Sequence, residues 1–361
     1  MNFLKSIFGK KDAPIETYAD FWNWFQMNQI HFHKVVRTGK NIEKNFFDKL
    51  EPKLAAIKDG IFYLTGMYDD TTAELIFTAE GVVENIVFIE ELVTAAPQIN
   101  GWRFTALKPA LRKEDVSIEM NDLKFNPGNL FFYSNESPYY PDEIEICVIH
   151  SDMTDDNRSV IIDGIYIFLD NYLGELNMVS NIDNVKIIYK SEAEKELIPI
   201  GKLKDFLIWR QKEFVEKYDG LRYDGVEKES SILETELKNG DFLIAVINTD
   251  LLNWAGKASH PWIAVMTIKY DGSRNNGMPN KSDYESLNIP EDEMMVSLTG
   301  IDGNLHIGRQ TGENKRKVYF ACKDFRQPSK VLSAIQQKYG DKFEMDFDIY
   351  KDKYWRSFES F

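Results

Sequence analysis

A pattern of two strands, a helix and a third strand (ββαβ) recurs three times along this chain of 361 residues. In the first copy, residues 60–67 and 73–79 alternate in the manner of strands, and apolar residues at helical spacing follow before a closing strand at 101–107. The second copy comprises 130–133, 143–150, a helix at 154–173 and a strand at 185–189, and the third comprises 304–310, 316–322, a helix at 328–339 and a strand at 343–350.

Each ββαβ unit has a single helix, which covers one face of its sheet. Two such units, or one unit preceded by a strand and a helix, therefore form a two-layer sandwich. The predicted fold class is α+β, with repeated ββαβ units forming ferredoxin-like sandwiches. Extra N-terminal helices are predicted at 16–36, where aromatic residues are dense, and at 42–57, where Pro52 interrupts the pattern.

The chain is long enough for two domains of ordinary size. A polar stretch at 223–231 contains Gly225 and four charged residues, which is typical of a linker. We predict four segments, which are a flexible tip at 1–14, an N-terminal α+β domain at 15–200, a connecting helix and linker at 201–231, and a C-terminal ferredoxin-like domain at 232–361. The apolar residues among lysines in the tip indicate either a frayed terminus or an amphipathic contact.

Composition and charge exclude several classes of function. Hydrophobic residues make up 43% of the chain, which excludes general disorder. A formal net charge of -15 opposes nonspecific binding to nucleic acid or anionic lipid, because both are polyanions, and favours a basic protein partner. Cys147 and Cys322 are predicted to be buried and unpaired. No apolar run reaches the roughly 18 residues of a membrane helix, so we expect a cytoplasmic protein.

No established catalytic motif occurs, and we expect neither a cofactor nor a bound metal. A polar face of the C-terminal sheet is the better candidate for a site. If Leu305 and Ile307 face the helices, strand alternation places a polar set from three strands on the opposite, open face. This set comprises His306, Gln310, Tyr319, Glu344, Asp346, Asp348 and Tyr350.

Several interpretations of these residues stay open. The carboxylates, phenols and amide of the open face are suited to binding a basic protein surface. Alternatively, His306 acts with Asp346 or Asp348 in a hydrolase or metal-dependent enzyme. Two further alternatives give this open face no function of its own. In the first it is simply hydrated, and in the second the N-terminal domain covers it. A cluster of Trp254, His260, Pro261 and Trp262 is either a binding lip or the packed start of a strand.

Short strings in the C-terminal third resemble those of a known family. They are Asn276-Gly277-Met278-Pro279 before a helix, Gly308-Arg309-Gln310-Thr311 in a hairpin, Arg316 with Tyr319-Phe320 in its second strand, and a terminal Asp352-Lys353-Tyr354-Trp355. By their order and spacing, residues 240–357 resemble the bacterial domain of unknown function 695. Lys353 departs from the expected pattern, in which a proline stands beside the aspartate.

That domain is similar at fold level to the ferredoxin-like regulator of ribonuclease activity B, a protein inhibitor of an endoribonuclease. The resemblance implies acidic, noncatalytic binding of another protein, which is an analogy of folds. We therefore predict a regulatory or protein-binding module, ribonuclease-inhibitor-like or immunity-like. Its expected partner is a basic protein such as a nuclease, without direct contact to nucleic acid.

Overall fold

The computed structural model describes residues 14–112, 114–223, 230–299 and 303–359. Helices and several mixed or antiparallel sheets confirm the α+β class. The chain forms two compact units, one reaching to Ala110 and including 174–176, the other comprising 111–173 and everything from Asn177 onwards. Residues 1–13 of the predicted tip and 224–229 of the predicted linker lie outside the described residues, and the four-segment division stays a prediction. No described helix is long and apolar enough to cross a membrane.

The first unit contains the first ββαβ copy and its aromatic helix. Its elements are α1 (Tyr18–Thr38), a π-helical turn (Glu43–Phe47), α2 (Asp48–Ala55), β1 (Phe62–Met67), β2 (Ala73–Thr78), α3 (Val83–Thr94) and β3 (Trp102–Ala106). The sheet order is β1-β2-β3, with β2 and β3 parallel. A capping box of Thr17 and Asp20 begins α1. The buried ring of Phe21 lies 6.2 Å from that of Phe77, so the aromatic helix packs on the sheet.

The second unit begins with the second ββαβ copy. Its elements are β4 (Ile118–Met120), β5 (Leu123–Phe125), β6 (Leu130–Asn135), β7 (Glu145–His150), α4 (Arg158–Leu173), α5 (Glu175–Asn181), β8 (Asn184–Ile187), β9 (Ile198–Pro199) and α6 (Leu203–Tyr218). The first two residues of α5 belong to the first unit. The sheet order is β8-β7-β6-β9. Helix α4 begins four residues later than predicted, and the carbonyl of the preceding Asn157 accepts a hydrogen bond from the Ile161 amide at 3.0 Å.

The C-terminal sheet completes the second unit. Its elements are β10 (Ser230–Glu236), β11 (Phe242–Asn248), α7 (Thr249–Leu252), β12 (Trp262–Lys269), α8 (Lys281–Leu298), β13 (Leu305–Gly312), β14 (Lys315–Cys322), α9 (Arg326–Tyr339) and β15 (Met345–Lys351). The antiparallel order is β10-β11-β13-β14-β12-β15. The succession β12-α8-β13-β14-α9-β15 is a βαββαβ arrangement, as expected for a ferredoxin-like sandwich. Strands β10 and β11 extend it at one edge. Both cysteines are buried and free, as predicted.

Candidate protein-binding face of the C-terminal sheet

The two faces of the C-terminal sheet are identified from strand register, because directly paired residues share a face. Arg316 defines one face, since its guanidinium bonds Glu291 on α8 at 2.9 Å. We call this the helix face. On the opposite face, which we call the tail face, Tyr319 and Ala321 pack in one apolar cluster with Trp355 and Phe358 from the C-terminal tail. The tail therefore covers part of the face that was predicted to be open.

Six of the seven predicted face residues lie on the tail face. Asp348 and Tyr319 both pair with Val265, Tyr350 pairs with Ile263, Asp346 pairs with Thr267, and Gln310 pairs with Lys317. Glu344 directly precedes β15 and continues its alternation. His306 is the exception. It pairs with Phe320 on the helix face, with ring centroids 5.2 Å apart.

A β-bulge explains why the placement of His306 was wrong. The register of β13 and β14 shifts between His306 and Gly308, so Ile307 is an extra residue. Leu305 and Ile307 accordingly pack with the tail-face cluster and not against the helices. Strict alternation across β13, which the sequence prediction assumed, does not hold at this position.

Three of the predicted residues contact other parts of the protein. Tyr319 is only 8% exposed, and its ring meets that of Phe358 edge-on at 5.2 Å. Its hydroxyl donates to Gln310 Oε1 at 3.0 Å, and burial raises its pKa. Tyr350 donates to Ser357 Oγ at 3.1 Å. Tyr319 and Tyr350 thus hold the tail against the sheet, and Gln310 orients the Tyr319 hydroxyl.

The exposed acidic residues form a narrow row along the edge strand β15. Glu344, Asp346 and Asp348 are exposed, and we call them the acidic strip. Alternate residues of a strand lie about 7 Å apart, so the carboxylates are evenly spaced. Glu344 pairs with Lys269. Asp346 and Asp348 form no ion pair or hydrogen bond with any side chain in the described ranges.

The terminal family motif is structural. The Asp352 carboxylate accepts hydrogen bonds from the amides of Arg356 and Ser357, both at 2.9 Å. Trp355 adopts a left-handed backbone with φ +55°, is 2% exposed, and donates from Nε1 to the His260 carbonyl at 2.9 Å. Asp352 therefore closes the turn that inserts Trp355 beneath the sheet.

His260 is buried beside this tail and favours its neutral form. Its ring nitrogens lie 2.8 Å from Ser259 Oγ and 2.6 Å from the Gly303 carbonyl. Burial lowers the pKa of His260 to about 4, and the nearby Lys323 charge acts in the same direction. His260 and Trp262 are buried, which favours the packed interpretation of this segment over a binding lip.

We expect His260 to make the protein acid-sensitive. The unfolded chain protonates this ring near pH 6.5 and the folded protein only near pH 4, so folding loses stability as pH falls through this window. Between pH 7 and 4.5 the loss attributable to His260 is about 2–3 kcal/mol. Urea denaturation of the wild-type protein and of His260→Gln, each at both of these pH values, measures this loss of stability. Equal losses in the two proteins would contradict the assignment.

The remaining family-motif residues hold α8 on the sheet. Buried Glu291 accepts from Arg309 Nη1 at 2.7 Å through one oxygen and from Arg316 Nη1 at 2.9 Å through the other. Arg316 is fully buried and also donates from Nε to Thr311 Oγ1 at 3.2 Å and from Nη1 to Asn288 Oδ1 at 2.8 Å. These contacts satisfy Nε and Nη1 of Arg316, whereas its buried Nη2 has no hydrogen-bond partner among the described residues.

The motif glycines fill positions where backbones approach closely. A Cβ on Gly308 would lie 2.3 Å from the Val246 carbonyl oxygen. Gly277 has φ +75°, and a Cβ there would lie 3.0 Å from the Glu313 amide nitrogen. The Asn276 carbonyl accepts the Phe242 amide at 2.9 Å, so the turn that ends at Pro279 is tied to β11.

A groove of about 560 Å³ in the second unit contains polar groups that the sequence did not indicate. The carboxylate of Asp142, which lines it, accepts from Lys217 at 2.7 Å, Tyr218 at 2.7 Å and Tyr354 at 2.5 Å. Burial acts to raise the pKa of Asp142, but these donors hold it below the usual range.

The contacts of Lys353 account for the lysine at this position, where the family pattern is expected to have a proline. Its buried ammonium bonds Asp183 Oδ2 at 2.7 Å and the Asp142 carbonyl at 2.6 Å. Lys351 bonds the other oxygen of Asp183 at 2.8 Å, although burial lowers the pKa of Lys351 to about 8. Lys353 therefore links the terminal motif to the second ββαβ copy. Its departure from the family pattern was the one signal in the sequence for these contacts with Asp183 and Asp142.

Comparisons with known proteins identify only part of the chain. Residues 237–361, about a third of it, match the model of a family of unknown function (DUF695). No curated protein and no solved structure matches the chain. The fold-level similarity to the regulator of ribonuclease activity B therefore has no support from a neighbour. Among the described residues, no group of three or more His, Cys, Asp or Glu is arranged to hold a metal ion.

Proposed function

We propose that the C-terminal sheet is a noncatalytic module that binds a basic surface of another protein through the acidic strip. The observation that carries this proposal is the pair Asp346 and Asp348, two exposed carboxylates at alternate positions of one strand that form no ion pair or hydrogen bond with a side chain in the described ranges. Because the strand fixes their spacing, binding does not first have to order them. A flat row of carboxylates suits recognition more than it suits catalysis.

Electrostatics favours a basic partner. The whole chain carries a formal charge of -15, which accelerates encounter with a cationic surface at low salt. A single exposed ion pair contributes only about 0–1 kcal/mol. The acidic strip alone therefore orients the partner and raises the association rate more than it raises the affinity. A nuclease is a fitting member of this partner class, since its active site already binds a row of phosphate charges.

The alternative of a hydrolase loses its main support. That hypothesis required His306 to act together with Asp346 or Asp348. Register places His306 on the helix face and both aspartates on the tail face. Side chains on opposite faces of one sheet cannot share a proton or a substrate directly.

Charge reversal of the strip tests the proposal. We expect Asp346→Lys with Asp348→Lys to bind a basic partner at least about tenfold more weakly, because two attractive contacts become repulsive. The partner is captured from host lysate with wild type, identified by mass spectrometry and titrated as a purified protein at two salt concentrations. The melting temperature of the variant should stay unchanged.

A matched control separates the strip from the overall charge. Glu285→Lys with Asp292→Lys makes the same change in net charge at exposed positions of α8. We expect this control to retain partner binding. Equal loss in both double variants would mean that only net charge matters, and full binding by the strip variant would remove the strip from consideration.

A further inference from the structure

The outer edge of β10 carries backbone groups that form no hydrogen bond with any described residue. The Leu237 amide donates to the Asp241 carbonyl at 2.8 Å, which sets the alternation of the ladder between β10 and β11. Odd-numbered residues of β10 therefore bond β11, and the even-numbered Ile232, Glu234 and Glu236 direct their N–H and C=O groups away from it. These three residues thus contribute six polar groups to this edge.

The side chains of β10 are exposed as well. Ile232 is 73% exposed and Leu233 is 40% exposed. Glu234 and Glu236 are exposed and form no ion pair with a described residue. Soluble proteins usually protect an edge strand with charged side chains, most often lysine, or with proline, a bulge or a covering element, and the charges on β10 are the two glutamates. Strand β10 contains neither lysine nor proline along its seven residues.

We propose that β10 accepts an extended, basic segment of a partner protein as an additional antiparallel strand. The six backbone groups would supply the hydrogen bonds of such β-augmentation, and the side chains would select the sequence. Ile232, Glu234 and Glu236 share one face of the strand. The incoming strand is therefore expected to carry cations opposite the two glutamates and an aliphatic residue opposite Ile232.

A second copy of the chain is a poorer occupant. Full-length antiparallel pairing of two β10 strands centres on Leu233 and places Ile232 opposite Glu234 of the other copy. The Glu234 side chains of the two copies would then be diagonal neighbours on one face, where their like charges repel. Each chain also carries a formal charge of -15, which opposes self-association.

This surface is separate from the acidic strip, because β10 and β15 form the two opposite edges of the sheet. The proposal for β10 therefore does not depend on the function proposed for the strip. The variant Asp346→Lys with Asp348→Lys should take up a peptide at β10 with wild-type affinity, so failure of one proposal can be told from failure of the other.

A designed peptide tests the proposal directly. The probe is Lys-Thr-Lys-Val-Ile-Thr-Ser with a fluorescent label, whose lysines lie opposite Glu236 and Glu234 and whose isoleucine lies opposite Ile232. Binding is measured by fluorescence anisotropy against the full-length protein. We expect saturable binding to wild type, and none for the peptide in which both lysines are replaced by glutamate.

Two substitutions at one position separate backbone pairing from charge. Glu234→Ala removes a charge and keeps the outward N–H, so affinity should fall by about two- to fivefold. Glu234→Pro also removes that N–H while sparing the bonds to β11, so the loss should reach about tenfold or more. Equal losses in the two variants would overturn β-augmentation.

Methylated peptides repeat the test without altering the protein. N-methylation of the second lysine blocks the amide that faces Glu234, whereas N-methylation of the following valine blocks an amide that points away. We expect the first modification to abolish binding and the second to preserve it. Equal effects of the two methylations would overturn the proposal. So would the absence of binding by wild type up to roughly millimolar concentration. Dimerisation of wild type that Glu234→Pro abolishes would overturn it as well.

Discussion

Replacing Glu291 by alanine is expected to lower the free energy of unfolding by about 3–5 kcal/mol, because it leaves two buried or partly buried guanidinium groups without their shared carboxylate. Arg316 is fully buried and the Arg309 side chain is 26% exposed, so water cannot replace the lost oxygens at Arg316. Chemical denaturation followed by tryptophan fluorescence measures the change.

Two further variants separate charge from packing at this position. Glu285→Ala, at an exposed position of the same helix, should change stability by less than about 0.5 kcal/mol. The triple variant Glu291→Leu, Arg309→Met, Arg316→Met replaces the charges by apolar groups and should recover most of the loss. A Glu291→Ala protein within about 1 kcal/mol of wild type would contradict this account.

Trp355→Ala is expected to destabilise the protein by about 3–5 kcal/mol, since it removes a large buried ring from the tail-face cluster. It also leaves the His260 carbonyl without its indole donor. Trp355→Phe should cost less, because it keeps most of the apolar volume and loses only that hydrogen bond. Thermal unfolding of the wild-type protein and the two variants gives their order of stability. An unchanged melting temperature for Trp355→Ala would show that the ring does not support the fold.

Local patterns were sufficient to predict the ferredoxin-like arrangement. Strand β15 has apolar residues at a period of two, and the helix that ends at Tyr339 has Pro328 in its first turn and Gly340 directly after its last residue. Strand β10 was missed, since only Ile232 and Leu233 among its seven residues are apolar and they are adjacent. Strand β10 forms because it pairs with β11, and the intrinsic strand propensity of its residues does not predict such a tertiary contact.

The candidate site was only partly predictable for a different reason. Alternation along β15 correctly placed Asp346 and Asp348 on one face, because that strand has no irregularity in its pairing. Coverage by Phe358 could not be inferred, since the tail lies beyond the last strand. The bulge did have a signal, because a glycine inside a strand pattern, here Gly308, is typical of one.

The bulge at Ile307 also determines how β13 tolerates changes in length. Removing Ile307 would restore simple alternation and leave Leu305 on the tail face and Arg309 on the helix face. Removing any residue between Gly308 and Gly312 would instead exchange the two faces for part of the strand. Position 307 is thus the place in β13 where a relative could be one residue shorter and still keep its arginines on Glu291.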